Sequence, residues 1–369
     1  MKLNVEEETL SSIDLKLIFR PVILRLNNPE DKEAYESLTS KTQINVADDR
    51  IFEQLKELIK SRNAGTRLGV DDYASLIESH LSGTDIKKYG AWVYYPWNNT
   101  LVHILDEDEF IEVRTNRNRE KITWEEQRTL KTKRIGIVGL SVGQSIALTL
   151  AMERTCGELR LADFDTVELS NVNRLRTGLH NLGILKTVVA AREIAEIDPF
   201  LTVKIYNDGL TGENIDSFFT EDGNLDLFVE VCDSLDVKVS SRFKARDLKI
   251  PVVMDTNDRG MLDIERFDKE PDRNILHGLI EEFLDNRSLV PLDQSNSHLL
   301  LKALVSFDSL SERMKTSMIQ INKTITSWPQ LASSVVLGGS ITTDISRRIL
   351  LGQHNKSGRY YVDLDQLIN

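Results

Sequence analysis

The sequence predicts an α/β fold in which a doubly wound, mainly parallel sheet follows a small α+β N-terminal domain. The first observation is a run rich in β-branched residues, Arg134–Val138, that stops at a glycine. The second is an apolar run, Glu158–Ala162, that ends in an acidic residue. The third is the alternation of strand-like and helix-like stretches beyond them, which is typical of parallel sheets with right-handed crossovers. At 369 residues, 40% of them hydrophobic and 28% charged, the chain has room for one large domain and a smaller one.

A glycine turn joins the first strand to a helix. Gly139 and Gly143 bracket the turn, Ser141 lies between them, and Ile146–Met152 has the spacing of a buried helix. Glycines let the backbone approach a phosphate, and a helix N-terminus supplies free N–H groups and the positive end of its dipole. Asp163 follows the second strand, near the position where such folds hold ribose hydroxyls. We therefore predict a Rossmann-like nucleotide-binding unit, although a turn with two of the three usual glycines also suits a βαβ unit that binds nothing.

The remaining elements of the large domain fit the same sheet. Strands are predicted at Leu201–Tyr206, Asp226–Val231 and Ile250–Met254. Helices are predicted at Thr187–Ile197, Glu213–Phe219 and Leu235–Leu248. Near the C-terminus, residues 327–352 predict a helix packed against the sheet, in which the pair Gly338 and Gly339 permits close approach, and residues 358–368 predict an edge strand.

Residues 1–110 are predicted to form the separate small domain. Asp49–Arg62 places apolar residues at helical spacing beneath a charged face, and Tyr73–Leu81 is a second helix. Two β-rich runs follow, separated by the pair Asn98 and Asn99, which predicts a hairpin. Its aromatic residues are better explained by packing against the neighbouring helices than by ligand stacking. They are Trp92, Tyr94, Tyr95 and Trp97.

Composition excludes several classes of protein. The net charge of −12 argues against nucleic-acid binding. No apolar run approaches the length of about 18 residues that a membrane span needs, and the first residues lack the pattern of a signal peptide. The two cysteines, Cys156 and Cys232, are predicted in core elements and imply no disulfide framework, so a cytoplasmic location is expected.

Three motifs together resemble one known superfamily. They are the run DFDTVELSNVNR from Asp163 to Arg174, Lys186 in GILK, and Asp233 in VEVCDS. This pattern is similar to that of the adenylating superfamily of ThiF, MoeB and the ubiquitin-activating enzymes, over about Arg114 to Asp268. The resemblance implies that residues 111–369 form an adenylation domain that uses ATP and Mg²⁺ to activate a carboxylate. It also implies that the sheet turns antiparallel after the last parallel strand, where Arg259 would approach the pocket.

The chemistry requires cations near the phosphates. When a carboxylate oxygen attacks the α-phosphorus of ATP, two anions meet, and cations and N–H donors stabilise the transition state. Arg174 and Lys186 are the predicted catalytic cations, and Asp163 is predicted to bind the ribose hydroxyls. Asp233, at the carboxyl edge of the sheet, is the predicted Mg²⁺ ligand. Asp165 and either Asn171 or Asn173 would shape the same pocket. For each single residue a plain alternative exists, since an acid at a strand end often caps the next helix and a lysine at a helix start is often simply exposed.

A basic stretch precedes the first strand of the core. Charge runs of this kind usually form a solvated helix face. The resemblance instead implies an arginine that reaches the ATP of the partner in a two-fold homodimer. Arg114, Asn116 and Arg117 fit the family pattern, although Asn118 replaces its glutamine, and Arg117 is the favoured trans arginine. A guanidinium suits this role because it is always charged and donates two hydrogen bonds to phosphate oxygens.

The residues predict that the reaction stops at an acyl-adenylate or its direct capture. No cysteine lies between residues 256 and 330, where thioester-forming relatives carry their nucleophile, and the paired zinc-binding cysteines are also absent. The substrate is left open between the C-terminus of a ubiquitin-like or carrier protein, a peptide, and a small or tRNA-linked acid. Two rivals remain, a Rossmann-fold oxidoreductase that binds NAD(P) and a non-catalytic nucleotide-sensing adaptor. Residues 1–110 are predicted to recognise the acyl substrate or a partner.

Overall fold

The computed structural model describes residues 16–41, 44–46, 49–291, 299–300, 302–304 and 307–368. The chain forms two compact units. The N-terminal unit comprises Met1–Trp124 and Ala195–Phe200, and the core unit comprises Glu125–Ile194 and Leu201–Asn369. The domain boundary predicted after residue 110 falls inside a helix of the N-terminal unit, so that division stays a prediction. Among the helices that the structure describes, none is long and apolar enough to cross a membrane.

The N-terminal unit contains a four-stranded sheet in the order β1-β3-β4-β2. Its strands are β1 (Val22–Leu24), β2 (Asn45–Val46), β3 (Ala91–Tyr95) and β4 (Thr100–Ile104). Its helices are α1 (Pro29–Lys41), α2 (Ile51–Arg62), α3 (Val70–Leu81) and α4 (Glu107–Arg114). The two predicted helices and the predicted hairpin are confirmed as α2, α3 and the antiparallel pair β3–β4.

The aromatic residues of the hairpin pack inside this unit. Trp92 stacks on His103 with ring centroids 4.3 Å apart, and Tyr95 meets Trp97 edge-on at 5.3 Å. Trp92 and Tyr95 are buried. Trp92 also meets Tyr35 of α1 with ring centroids 5.3 Å apart, so the packing interpretation is confirmed for Trp92 and stays a prediction for the exposed parts of Tyr94 and Trp97.

The core unit is built on a seven-stranded sheet in the order β13-β10-β9-β8-β5-β6-β7. The strands are β5 (Arg134–Val138), β6 (Glu158–Ala162), β7 (Thr202–Tyr206), β8 (Leu227–Glu230), β9 (Val252–Thr256), β10 (Met261–Glu265) and β13 (Gly358–Tyr361). Strands β5 to β9 pair in parallel, whereas β10 is antiparallel to both β9 and β13. The predicted antiparallel turn of the sheet is confirmed, and the predicted edge strand is confirmed over Gly358–Tyr361, whereas Leu364–Leu367 forms a helix.

Helices connect these strands and cover the sheet. They are α5 (Trp124–Leu130), α6 (Leu140–Glu153), α7 (Lys186–Ile197), α8 (Ile215–Thr220), α9 (Leu235–Asp247), α10 (Glu312–Gln320), α11 (Ala332–Leu350) and α12 (Leu364–Leu367). A two-residue hairpin, β11 (Leu284–Asp285) with β12 (Ser288–Leu289), lies between β10 and α10. The helix predicted at residues 327–352 is thus confirmed over Ala332–Leu350.

Helices lie on both faces of the sheet, as the doubly wound class requires. On one face, Gln144 of α6 donates to Glu193 of α7 at 2.7 Å, and α11 packs so closely on α6 that a Cβ at Gly339 would lie 2.5 Å from Ser145 Oγ. On the other face, α8 and α9 bury their aromatic residues against β8 in the main hydrophobic core. From β5 the chain adds β6 and β7 on one side and β8 and β9 on the other. The order of the strands therefore reverses at β5, which makes this position the switch point of the sheet. Open α/β sheets bind ligands at the switch point, outside the carboxyl ends of the strands.

Several charged residues of this sheet are buried, and Glu230 is paired with two cations. Glu230, at the end of β8, is fully buried and accepts a hydrogen bond from Lys238 Nζ at 2.9 Å and another from Arg242. Arg242 also donates to Glu265 at 2.7 Å. Burial alone would raise the pKa of Glu230, but the two cations lower it to about 2. The network therefore keeps Glu230 ionised within the core.

Candidate active site at the switch point of the sheet

The turn after β5 fits only a glycine at its first position. Gly139 has a φ of 88°, a backbone conformation that favours glycine. A Cβ here would lie 2.7 Å from the Cα of Cys232 and from the carbonyl oxygen of Val231. The amide of Gly139 donates to the carbonyl of Ala162 at 2.9 Å. The turn is thus fixed between the ends of β6 and β8.

Asp163 holds the start of helix α6. Its Oδ2 accepts from the amide of Leu140 at 2.6 Å, and its Oδ1 accepts from the amide of Asp165 at 2.8 Å. The residue is only 8% exposed. Burial raises its pKa, while the charge of Lys186 and the two amide donors act in the opposite direction. Each oxygen of the carboxylate therefore accepts a hydrogen bond from the backbone around the turn. The contact of Asp163 with a ribose stays a prediction.

Gly143 has a packing contact in this structure. It lies in the first turns of α6, and a Cβ there would come 2.8 Å from Cγ2 of Ile137 on β5. The glycine lets the helix lie close to the strand. A nucleotide contact at Gly143 stays a prediction.

Ser141 and Arg174 meet at the mouth of the turn. The Ser141 hydroxyl accepts from Arg174 Nε at 3.1 Å and from Nη2 at 2.8 Å, and donates to Gln330 Oε1 at 3.2 Å. Arg174 Nη1 also donates to the side-chain oxygen of Asn173 at 2.9 Å. Burial lowers the pKa of Arg174, and the charge of Asp233 opposes that effect. Among the described residues Arg174 makes no ion pair and its hydrogen-bond partners are neutral, and it lies beside the lining residue Ser141 without lining the cavity described below.

Lys186 is the second predicted cation. It is the first residue of α7, is 6% exposed, and donates from Nζ to Asp165 Oδ2 at 2.6 Å. Its amide also donates to the carbonyl of Asp165 at 2.9 Å. The side chain of Asp165 is about half exposed, so this carboxylate places the buried ammonium at the β6 end of the site.

The two candidate asparagines differ in their contacts. Asn171 is buried and its side-chain oxygen accepts from the amide of Glu168 at 3.1 Å, which caps the short turn that follows. Asn173 donates from Nδ2 to the carbonyl of Gln330 at 2.9 Å. Of the pair that the sequence left open, Asn173 is thus the residue that connects the loop to the covering segment 328–330, while Asn171 shapes the loop itself.

A cavity of about 190 Å³ opens on the β8–β9 side of the turn. Two of the predicted site residues, Ser141 and Asp233, line this cavity. Asp255 in β9 and Asn257 just after it also line the cavity. Trp328, Pro329 and Gln330 cover it from a segment far away in sequence. Arg259 does not line the cavity, because it pairs with Asp363 at 2.6 Å and donates to the carbonyl of Ser309 at 2.6 Å. The expected approach of Arg259 is thus indirect, through Ser309, which is a lining residue.

The two cysteines have different positions. Cys156 is fully buried, as predicted. Cys232 lies two residues beyond the end of β8 and lines the cavity, so its predicted place in a core strand is wrong. Burial raises the pKa of the Cys232 thiol, and the nearby charge of Glu230 raises it further. This thiol is therefore held protonated at neutral pH.

The predicted trans arginine belongs to the N-terminal unit. Arg117 lies in a single 3₁₀ turn, Asn116–Asn118, and is exposed. Arg114, the neighbouring candidate, donates to the buried carboxylate of Asp198 at 2.7 Å. The role of Arg117 at a partner's nucleotide stays a prediction.

The described residues contain no cluster of three or more metal-binding side chains. Mg²⁺ does not need one, since it binds through one or two carboxylates together with substrate phosphates and water. Asp233 is an exposed carboxylate on the cavity wall, close enough to Arg174 for their charges to interact. The donor set therefore fits a magnesium ion that a nucleotide brings with it.

Comparisons with known proteins agree with the predicted resemblance. Residues 115–256 match the sequence model of the ThiF family. An uncharacterized protein of Mycobacterium tuberculosis, MT1398, is 45% identical over 278 residues, which cover 75% of this chain and 38% of that protein. The ubiquitin-like modifier-activating enzyme 5 of Drosophila mojavensis is 34% identical over 92 residues, or 25% of this chain and 23% of that protein. The chain thus spans well under half the length of these curated relatives.

Among solved structures, the chain is similar to the E. coli tRNA N6-threonylcarbamoyladenosine dehydratase TcdA in complex with ATP. That comparison has a TM-score of 0.48 and 17% identity, and it covers 67% of this chain and 97% of the other. The predicted likeness to the ThiF superfamily is confirmed by the family match itself.

Proposed function

We propose that the chain, whose residues 115–256 match the ThiF family, is an ATP-dependent adenylyltransferase that activates a carboxylate as an acyl-adenylate. The observation that carries this proposal is the position of Arg174. Its guanidinium is held on Ser141, in the turn between the two halves of the sheet, and has no carboxylate partner among the described residues. A cation kept in this way is available to an anionic ligand.

In the proposed reaction, a carboxylate oxygen of the substrate attacks the α-phosphorus of ATP. The bond from that phosphorus to the bridging oxygen breaks, and pyrophosphate leaves with the electron pair. Negative charge grows on the phosphate oxygens as this happens, so fixed donors and cations lower the barrier. Arg174 would stabilise the α-phosphate region from the turn, and Lys186 would do so from the β6 side. Asp163 would hold the turn in shape and accept from a ribose hydroxyl.

Asp233 is the proposed carboxylate for Mg²⁺. When bound, the ion neutralises charge on the phosphates. The protein's own part is to present one exposed carboxylate at the wall of the cavity that Ser141 also lines, near enough to Arg174 for the two charges to interact. Asp165 has a different task, since it orients the ammonium of Lys186.

We further propose that the acyl group does not pass to a cysteine of this chain. A thioester needs a thiolate nucleophile, and burial and Glu230 both raise the pKa of Cys232. Cys156 is fully buried. The acyl-adenylate is therefore the proposed end point, or is captured directly by a second substrate. That substrate class remains the one predicted above, with the C-terminus of a carrier protein or peptide and a small or tRNA-linked acid as its members.

A cytoplasmic homodimer is the proposed assembly, with Arg117 completing the site of the partner. Support comes from the loop between β6 and α7, which exposes large apolar side chains. Phe164 is 70% and Leu169 68% exposed there. Sedimentation equilibrium is the direct test, and a monomer at micromolar concentration would contradict this part of the proposal.

Calorimetric titration with ATP, AMP, NAD⁺ and NADPH, with and without Mg²⁺, tests the proposed function. Magnesium-dependent binding of ATP is expected, with loss of the magnesium dependence in Asp233→Ala. The matched control is Asp236→Ala, because Asp236 is an exposed acid three residues further on, in the first turn of α9. Tight binding of NAD(P) without any response to ATP would replace the proposal by the oxidoreductase, and binding of none of the four would favour the adaptor.

A further inference from the structure

Asp255 is a buried carboxyl group without a partner. It is the fourth residue of β9, it is 4% exposed, and neither of its oxygens accepts a hydrogen bond from any described residue. It also lines the cavity beside the turn. Leaving a buried polar group unpaired costs about 1–3 kcal/mol, and more for a charged one. The adenylation mechanism proposed above gives Asp255 no task.

A second acceptor lies beside it. The buried side-chain oxygen of Asn257 likewise has no hydrogen-bond donor within the described part of the chain. Asn257 lies two residues further along the chain, in the turn that follows β9. Asn257 is also a lining residue of the same cavity. Both residues thus line the cavity, and their three acceptor atoms, two from Asp255 and one from Asn257, are buried without a donor at its wall.

Helix α11 leaves room for this carboxylate. A Cβ at Gly338 would lie 2.0 Å from Oδ2 of Asp255 and 2.9 Å from Oδ1. No larger residue fits at position 338 unless the carboxylate moves. The pair Gly338 and Asp255 therefore holds the acidic group at the wall of the cavity while keeping it out of water.

The chemistry of the wall indicates which ligand group would pair with these acceptors. The other acids that line the cavity are Asp233 and Asp258, and the lining cation, Lys238, donates to Glu230 at 2.9 Å. Asp258 already accepts from the amide and hydroxyl of Ser311, at 2.8 and 2.6 Å. The unpaired acceptor atoms of Asp255 and Asn257 therefore fit a ligand group that donates hydrogen bonds and accepts none. An ammonium has three donors and no acceptor, which matches the three oxygen atoms.

We propose that Asp255 and Asn257 bind a primary ammonium group, so that the carboxylate activated by this chain belongs to a molecule that also carries an amine. The inference rests on the proposed adenylation and narrows its substrate class. Such a molecule is an amino acid or a peptide with a free amine. Its carboxylate would face Ser141 and Arg174 while its ammonium lies at the end of β9. Pairing with a cation would also favour the ionised form of Asp255, which burial disfavours.

Matched pairs of ligands test this inference. Calorimetry is run on the full chain with all proteinogenic amino acids and with triglycine, each against its N-acetylated form, and with lysine also against its Nε-acetyl form. Every titration is made with and without Mg²⁺ and a non-hydrolysable ATP analogue. At least one amine should bind about tenfold or more tightly than its acetylated partner. Binding of a free amino acid or binding of triglycine shows whether the ammonium belongs to an amino acid or to a peptide.

Three variants identify the residues responsible. Asp255→Asn should reduce the amine preference to less than about threefold, because it removes the charge and one acceptor. Gly338→Ala should have the same effect by displacing the carboxylate, which guards against a folding defect specific to the first variant. Asp258→Asn is the matched control and should retain the preference, since Ser311 already satisfies that carboxylate.

The outcomes separate this inference from the proposed function. Equal binding of amines and acetylated partners, binding of neither, or an unchanged preference in Asp255→Asn would overturn the ammonium site. None of these results would affect the binding of the ATP analogue, on which the adenylation proposal depends. If the analogue failed to bind while the amine preference appeared, the proposed function would be wrong and the ammonium site would stand.

Discussion

Arg174 donates two hydrogen bonds to the hydroxyl of Ser141, from Nε at 3.1 Å and from Nη2 at 2.8 Å. This contact joins the loop after β6 to the first turn of α6, across 33 positions of sequence. It fixes a guanidinium at the point where the strand order of the sheet reverses. The direction of this side chain is therefore set before any ligand arrives, and preorganised charge of this kind is what stabilises a transition state.

The first prediction concerns Arg174 itself. Arg174→Ala should lower kcat/KM for ATP–pyrophosphate exchange by about 10²–10³-fold, as the loss of one preorganised donor to a developing oxyanion does. Since the arginine bonds only to neutral groups, the melting temperature should change by less than about 4 °C. Arg176→Ala is the matched control, because Arg176 is exposed and contacts α6 through its backbone. Equal activity of Arg174→Ala and Arg176→Ala would refute the assigned role.

A second prediction measures the coupling between Ser141 and Arg174. If the hydroxyl orients the guanidinium, Ser141→Ala should weaken catalysis only while Arg174 is present. A double-mutant cycle on kcat/KM should then give an interaction energy of about 0.5–3 kcal/mol, the range found for residues in direct contact. Additive effects of the two substitutions would mean that Ser141 acts on the nucleotide independently.

The sequence predicts the positions of the strands well because a strand covered on both faces needs a continuous apolar run. β5 and β6 begin and end at the predicted residues. The same reasoning predicts Asp163 and Asp233 at the sheet edge, since both follow such runs, and Lys186 is predicted at the start of the next helix. Element order and the carboxyl edge are local properties of the chain, and local patterns are sufficient to predict them.

The contacts within the site could not be predicted in the same way. Gln330 reaches Ser141 from 189 positions away, and no local pattern relates two such residues. Asn171 has the residue type expected of a polar ligand-binding loop, but the same short amide also caps its own turn, and the structure shows that contact. Asp255 was not singled out because an acid inside an apolar run gives no sign of whether a partner faces it.

The third prediction separates the two effects of the glycine at position 139. Gly139→Ala combines an unfavourable φ with a clash against Cys232 and Val231. Gly352→Ala is the matched control, because its φ is 71° and no atom lies within 4 Å of the added Cβ. We expect about 1–2 kcal/mol of destabilisation for Gly352→Ala from backbone strain alone. Gly139→Ala should cost about 1–3 kcal/mol more from overpacking and should abolish ATP binding, as measured by urea unfolding and calorimetry. Equal costs for the two variants would show that the turn relaxes around the extra methyl group.

The fourth prediction concerns the pH dependence of stability through Asp255. Burial raises its pKa well above the ordinary value of 3.8, so the folded chain keeps a proton that the unfolded chain has lost. Above pH of about 4, stability should therefore fall as pH rises, by up to about 1.4 kcal/mol per pH unit, until the folded carboxyl ionises. Asp255→Asn has no carboxyl group that titrates at this position. The unfolding free energy of the wild type minus that of the variant should therefore decrease as pH rises. Urea unfolding between pH 4 and 8 measures it, and a constant difference would mean that Asp255 is ionised and paired.

The last prediction has the opposite sign and comes from Glu230. Lys238 and Arg242 lower its pKa to about 2, so between about pH 4.5 and pH 2 the unfolded chain binds a proton that the folded chain does not. Wild-type stability should therefore fall as pH falls through this window, at up to about 1.4 kcal/mol per pH unit. Glu230→Gln removes the term and also leaves two buried cations without their carboxylate, which should cost about 3–5 kcal/mol at pH 7. The cost should thus be largest at neutral pH and should diminish on acidification, because the wild type then loses the same ion pairs. Urea unfolding of both proteins from pH 7 to pH 3 tests this, and a cost that grew with acid would show that Glu230 is not the carboxylate that holds the two cations.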